Sequence, residues 1–328
     1  MTSPSQSHQP QGNLNSTSLA KHMLSSMFAK SATGTSGSSA PPINLSARFT
    51  ARRLIQTPTY LRHGGTILET GTYLHYVSQG DPAGEAIVFL HDLAGSWFSF
   101  SRILPLLSAR YHAFALDLRG HGDSDKGDDH STSTGITMNN LAGDVATFIR
   151  EQGLRRVTLV GHGVGGYLAQ RIALKFPDVV SRLVLIGATG TPQNNMSRAF
   201  DPLFRALSEP VPATFVRAFY QSQLHNTVPE AFLEGLISES LKTPASMWQA
   251  TWTSFFHANH DAHLSRIWQP TLLAWGDQDD SFSASNPRHL AARLPNATRV
   301  TYAGIGHAIH WEHPQRFAHE LVTFMNQH

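Results

Sequence analysis

Apolar positions in this chain fall into two alternating patterns. Short runs that are apolar except for Thr158 and Thr271 lie at residues 86–90 (AIVFL), 157–160 (VTLV), 183–186 (LVLI) and 271–275 (TLLAW). Runs of that kind predict strands covered on both faces. Less continuous runs at 72–77, 112–117 and 298–302 predict further strands. Between them, apolar residues recur at helical spacing. Residues 139–152 place Leu141, Val145 and Phe148 on one face, and 167–176 read as a helix stopped by Pro177. A closing helix is expected over 317–325. Strands alternating with helices predict an open, mostly parallel sheet flanked by helices. Residues 187–270 carry no strand signal, but helical stretches occur at 200–207, 213–223 and 230–241. A structureless loop of that length is uncommon, so a helical cap inserted before the next strand is expected.

Residues 1–45 break the pattern. They are rich in Ser, Thr, Gln, Asn and Gly, with one weak apolar patch at 19–28, and read as a disordered tail. The expected division is therefore a tail over 1–45, an α/β core over 46–190 and 265–328, and a helical cap over 191–264. An acid-free, Ser-rich leader also has the composition of an organellar import segment, although arginine is absent from its first forty residues. Without such import a cytoplasmic location is expected.

Charge changes the picture little. The chain has 25 basic and 23 acidic residues, but six of the basic ones precede the first acid, Glu69. The remainder is mildly acidic, at 19 against 23, so no basic nucleic-acid face is implied. No apolar run approaches the length of a membrane span. Cysteine is absent, which excludes disulfides, thiolate metal sites and a cysteine nucleophile. The His257, His260, Asp261, His263 group has metal-like spacing, but with no further ligand implied, no metal or cofactor is expected.

The candidate chemistry centres on Gly161-His162-Gly163-Val164-Gly165-Gly166, which follows a predicted strand and opens a helix. Its spacing satisfies the dinucleotide fingerprint G-x-G-x-x-G. That reading requires an acid at the end of the next strand to hold a ribose, and no acid occurs between Asp178 and Asp201. The segment equally fits the nucleophile elbow G-x-S-x-G with Gly163 in the serine's place. Its surroundings favour the elbow. Residues 89–97 (FLHDLAGSW) look like an oxyanion loop, and 115–124 (ALDLRGHGDS) like a D-x-R-G-x-G-x-S turn. Residues 275–279 (WGDQD) resemble the strand end that carries a catalytic acid. Residues 304–307 (GIGH), followed by 311–314 (WEHP), resemble a histidine loop. In this order, from Thr66 to the C-terminus, the motifs resemble those of the α/β-hydrolase superfamily, near its capped small-ester and C–C bond hydrolases.

The resemblance implies an α/β-hydrolase fold and assigns roles. Asp279 is the acid that orients imidazole, preferred by spacing over Asp277 and Asp280, and His307 is the general base. Val164 and Leu93 supply the two backbone N–H groups of an oxyanion hole. His310 and His313 receive no role. Ser96 is a weak substitute nucleophile, being usually structural in such loops. Asp92 stands where the family usually has glycine, and a carboxylate pointing inward there would oppose an oxyanion.

Gly163 itself removes the attacking hydroxyl while keeping a backbone conformation that glycine adopts at little steric cost. Neither the serine of acyl-enzyme chemistry nor the elbow aspartate of epoxide hydrolases and haloalkane dehalogenases is present. Three readings follow. The first is an enzyme in which His307 acts directly on water or substrate, on a small apolar ester or carbonyl compound. The second is a non-catalytic ligand-binding protein. The third is a serine-to-glycine variant of an active hydrolase. Retention of both Asp279 and His307 favours the first and third. The oligomeric state is not legible.

Overall fold

The computed structural model describes residues 61–107, 110–127, 135–282 and 285–328. The expected tail over 1–45 lies outside the described residues. Eight strands form one sheet: β1 (Arg62–Ile67), β2 (Tyr73–Gln79), β3 (Glu85–Leu90), β4 (Tyr111–Leu116), β5 (Val157–His162), β6 (Val180–Ile186), β7 (Thr271–Gly276) and β8 (Ala297–Tyr302). Their spatial order is β1-β2-β4-β3-β5-β6-β7-β8. The β1–β2 and β2–β4 pairs are antiparallel, and all others are parallel. This is the expected mostly parallel sheet. Every residue of β5 and β7 is buried, as their largely apolar runs predict.

Helix α1 (Met138–Glu151) and helix α2 (Val164–Lys175) pack on each other and help to cover the sheet. Four helices separate β6 from β7: α3 (Asn195–Arg205), α4 (Ala213–Ser222), α5 (Glu230–Ser240) and α6 (Ala245–Phe256). The chain closes with α7 (Ser285–Arg293), α8 (Ile309–Glu312) and α9 (Pro314–Gln327). Aromatic rings join the inserted helices to each other. Phe204 lies 4.6 Å from Trp252 and 5.8 Å from Phe219, centroid to centroid.

The pattern reading marks none of β1, α6, α7 and α8, and it starts α2 too late. β1 (RHGGTI) is an edge strand whose glycines and exposed residues give no apolar alternation. α7 is short and polar. α2 starts three residues earlier than expected, inside the Val-Gly-Gly segment, whose helix propensity is low. The reason is close packing: a Cβ on Gly165 would stand 2.2 Å from the Leu90 carbonyl oxygen.

The turn after β4 stabilises the loop that follows β3. Asp117 is fully buried and accepts from Trp97 N–H at 2.7 Å, Asp123 N–H at 2.9 Å and His75 Nδ1 at 2.8 Å. Burial alone would raise its carboxyl, but the His75 contact and the backbone donors prevail and hold it below the ordinary carboxylate value. Asp117→Ala removes the charge and leaves these donors buried without partners. A loss of about 3–5 kcal/mol is expected, readable as a lower denaturation midpoint. An unchanged midpoint would exclude this anchoring.

Candidate active site

Parallel sheets of this kind bind ligands beyond the carboxyl ends of their strands, where the strand order reverses. β3 is that point, since it lies between β4 and β5. The loop after β3 begins at His91, and the elbow after β5 carries Gly163. Leu90 and Gly161 are register partners, so these two loops leave the sheet side by side. The loops after β7 and β8 bring Asp279 and His307.

His307 is buried, and its Nδ1 lies 2.8 Å from Asp279 Oδ2. The other oxygen, Oδ1, accepts from Ser281 N–H at 2.8 Å and Phe282 N–H at 3.3 Å, which fixes the carboxylate plane. Asp277 faces elsewhere and accepts from Gly304 N–H at 2.7 Å. Burial on its own would lower the His307 pKa. Asp279 outweighs it, with a further contribution from Asp92, and His307 is held above the ordinary histidine value of 6.5.

The histidine loop is fixed from two sides. His307 N–H donates to the Gln223 carbonyl at 2.9 Å, at the C-terminal end of α4. Glu312 accepts from Gly306 N–H at 2.9 Å and Asn226 N–H at 2.8 Å. The inserted segment therefore holds His307 in place as well as covering it.

Gly163 has φ +52° and ψ −113°, immediately before α2. The space that a side chain would take there is filled by Asp92. A Cβ on Gly163 would lie 2.2 Å from Asp92 Oδ1 and 2.4 Å from its Cγ. Asp92 Oδ1 accepts from Val164 N–H at 2.7 Å, so this expected oxyanion donor is already bonded within the chain. Asp92 Oδ2 accepts from Gln223 Nε2 at 3.0 Å and lies 3.9 Å from His307 Nε2. The N-terminus of α2 favours a negative charge at this point. The Asp92 backbone is pinned as well, its carbonyl accepting from Gly95 N–H at 3.0 Å and from His91 Nδ1 at 2.7 Å. The carboxylate does point inward, in the orientation that the sequence reading counted against an oxyanion.

Other residues singled out in the sequence fall into structural places. Ser96 Oγ caps a short 3-10 helix (Trp97–Phe100), accepting from Phe98 N–H at 3.2 Å. His310 is buried, stacks on Phe100 and lies 3.3 Å from Ser99 Oγ. His313 is exposed. The histidine-rich group disperses: His260 stacks on Tyr167 and bonds Gln170, while Asp261 pairs with His289 and Arg293. Sequence reading missed Gln223 altogether, because a glutamine at a helix end carries no signal of its own. His162 lies beneath His307 at 4.8 Å, fully buried, with neither ring nitrogen hydrogen-bonded.

Above Asp92 and His307 lies a cavity of about 50 Å³. Its walls include Leu93, Phe200, Phe219, Trp252 and Phe282, with Ser197, Ser222 and Ser281 as polar points. The size and lining fit a small, mainly apolar ligand.

With the sheet order and this constellation in view, comparison with known proteins places the chain. Residues 85–314 match the model of the alpha/beta hydrolase fold family, and the chain belongs to that family. It is 29% identical over 265 residues to the sn-1-specific diacylglycerol lipase ABHD11 of Mus musculus, covering 75% of this chain and 82% of that protein. It is 28% identical over 287 residues to the 2-hydroxy-6-oxononadienedioate/2-hydroxy-6-oxononatrienedioate hydrolase of Paraburkholderia phymatum, covering 80% and 94%. Among solved structures it resembles a putative aryl esterase from Burkholderia cenocepacia, with TM-score 0.70, 25% identity and coverage of 81% and 98%. A meta-cleavage product hydrolase from Pseudomonas fluorescens shares the fold, with TM-score 0.69, 19% identity and coverage of 80% and 97%. The relatives are hydrolases, which supports a hydrolase here.

Proposed function

We propose that this chain hydrolyses a small apolar ester or related carbonyl compound without a serine nucleophile, using His307 as the base. The carrying observation is the 2.8 Å contact between His307 Nδ1 and Asp279, which leaves Nε2 for the cavity side. Imidazole held in that tautomer can take a proton from water as the water attacks. Leu93 and Val164 are the backbone donors toward the developing oxyanion, and Asp92 competes with the substrate for Val164. The apolar cavity accounts for the size and character of the substrate. No nucleic-acid or membrane partner enters this reading. The described residues include no helix long and apolar enough to cross a membrane.

The filled space at Gly163 argues against the reading as a serine-to-glycine variant. A chain that had only lost a serine would keep room for its hydroxyl, whereas here a second residue occupies that room.

The test is hydrolysis of p-nitrophenyl acetate and butyrate by the unaltered chain and by His307→Ala. The expected result is steady turnover without a burst, insensitive to a fluorophosphonate, and reduced about 10²–10⁴-fold in the variant. Turnover unchanged in His307→Ala sinks the proposal. Binding of ligands with no turnover by the unaltered chain would support the non-catalytic reading instead.

A further inference from the structure

We propose that Asp92 is a nucleophile, delivered from the loop after β3 into the space that Gly163 leaves, and that the site hydrolyses small apolar organohalides through an Asp92 alkyl ester. The proposal keeps His307 as the base and adds a second activity, on saturated carbon.

The two oxygens of Asp92 have different surroundings. Oδ1 is bound by Val164 N–H at 2.7 Å, at the start of α2. Oδ2 faces the gap toward His307 Nε2, 3.9 Å away, and is oriented by Gln223 Nε2 at 3.0 Å. One oxygen is thus held and the other is presented beside the base. Asp92 lines the cavity itself. The sequence reading excluded an alkyl-enzyme because the elbow lacks a carboxylate. The structure supplies a carboxylate at that point from the loop after the neighbouring strand β3.

The electrophile follows from the hydrogen bonds. A carbonyl substrate develops its own oxyanion and must compete with Asp92 for the Val164 donor. Displacement at saturated carbon develops no oxyanion on the substrate. Oδ2 forms a bond to carbon, the carbon–halogen bond breaks, and halide departs with the electron pair. His307 then takes a proton from water, and hydroxide adds to the Asp92 carboxyl carbon. The oxyanion of that step forms on Oδ1, where Val164 N–H already points. Collapse expels the alkoxide, which recovers the proton from His307. The sum is organohalide plus water giving alcohol, halide and a proton. The alcohol oxygen comes from Asp92, and the water oxygen remains in the carboxylate.

The leaving group follows from the walls. A group displaced at carbon departs on the side opposite the nucleophile, whereas His307 lies beside the nucleophile. The remaining polar lining consists of serine hydroxyls and Gln223, none of them acidic enough to protonate a leaving alkoxide. A group that departs as a stable anion, such as bromide, needs no acid. The ligand atoms of Asp92, His162 and His307 also lie within 4.8 Å of one another, close enough to raise a metal ion as a rival. Both oxygens of Asp92 already accept N–H donors, which is the setting of a bare carboxylate.

The experiment incubates the full chain with 1-bromobutane, 1,2-dibromoethane and 1-bromo-2-phenylethane. It follows bromide release and the mass of the Asp92-containing peptide. Expected results are bromide release by the unaltered chain and ¹⁸O appearing in Asp92 during turnover in H₂¹⁸O. A stoichiometric alkyl adduct on Asp92 should accumulate in His307→Gln, which retains attack but lacks the base. Asp92→Asn, of nearly equal shape, should form no adduct and lose bromide release by about 10³-fold or more, with folding checked by near-ultraviolet circular dichroism. No bromide release from any of the three compounds overturns the proposal. So does ¹⁸O appearing only in the alcohol, or activity abolished by EDTA and restored by zinc. Because ester turnover is measured separately, failure here leaves the ester reading standing, and failure there leaves this one standing.

Discussion

Restoring the serine alone is expected not to restore a serine hydrolase. In Gly163→Ser the new Cβ would meet Asp92 Oδ1 at 2.2 Å, and φ +52° would have to be adopted by a non-glycine residue. The backbone term costs about 1–3 kcal/mol. Expelling Asp92 also breaks its charged hydrogen bond to Val164 N–H, worth roughly 1.5–3 kcal/mol. The single variant should therefore lose several degrees in melting temperature and show no fluorophosphonate labelling. The double variant Asp92→Gly/Gly163→Ser removes the obstruction and frees the Val164 donor. It should label stoichiometrically and hydrolyse p-nitrophenyl butyrate with a burst, at least about 10³-fold faster than the single variant. Equal activity in the two would mean that Asp92 does not fill the nucleophile position.

Asp279→Asn should have the second large effect. The carboxylate holds His307 at Nδ1, fixes its tautomer and is the main influence raising its pKa against burial. An amide there keeps the shape but presents a donor or a neutral acceptor. A fall of about 10⁴-fold in kcat is expected, by comparison with the same change in an acid–histidine–serine site. The pH profile separates this from a packing defect. Activity needs neutral His307, so in the unaltered chain it should rise with pH through a midpoint above 6.5. In Asp279→Asn that midpoint should move down. Stability follows with the opposite sense. A histidine whose folded pKa is raised contributes stability that is complete below its unfolded value and is lost as pH rises through the folded one. The variant should therefore be less stable than the parent mainly at mildly acidic pH. A profile whose midpoint stays in place would remove Asp279 from control of the base.

Much of this architecture was legible along the chain. Strands buried on both faces favour short, nearly continuous apolar runs, and runs of this kind marked β3, β5, β6 and β7. The ends of those strands are where loops can hold polar groups, so motif order marked the Asp279 and His307 loops. Gly163 was conspicuous because the surrounding glycines are forced by close packing of strand and helix. Less legible were β1 and α7, whose polar, exposed sequences carry no period.

The sequence by itself determined the fold class and marked Asp279, His307 and Gly163 as the candidate site. Each is written in a local pattern that obeys the two periods of strand and helix. Only the tertiary structure decided what stands in the serine's place. Asp92 and Val164 are 72 positions apart, and nothing local couples them. They meet because β3 pairs with β5 in parallel and both loops emerge at the carboxyl end of these central strands. Gln223 joins them from the end of an inserted helix, where its own backbone carbonyl accepts from His307 N–H. A one-dimensional reading places a carboxylate beside an oxyanion hole, where it is unfavourable. The packed structure gives that carboxylate a helix N-terminus, a backbone donor and the room left by a missing Cβ.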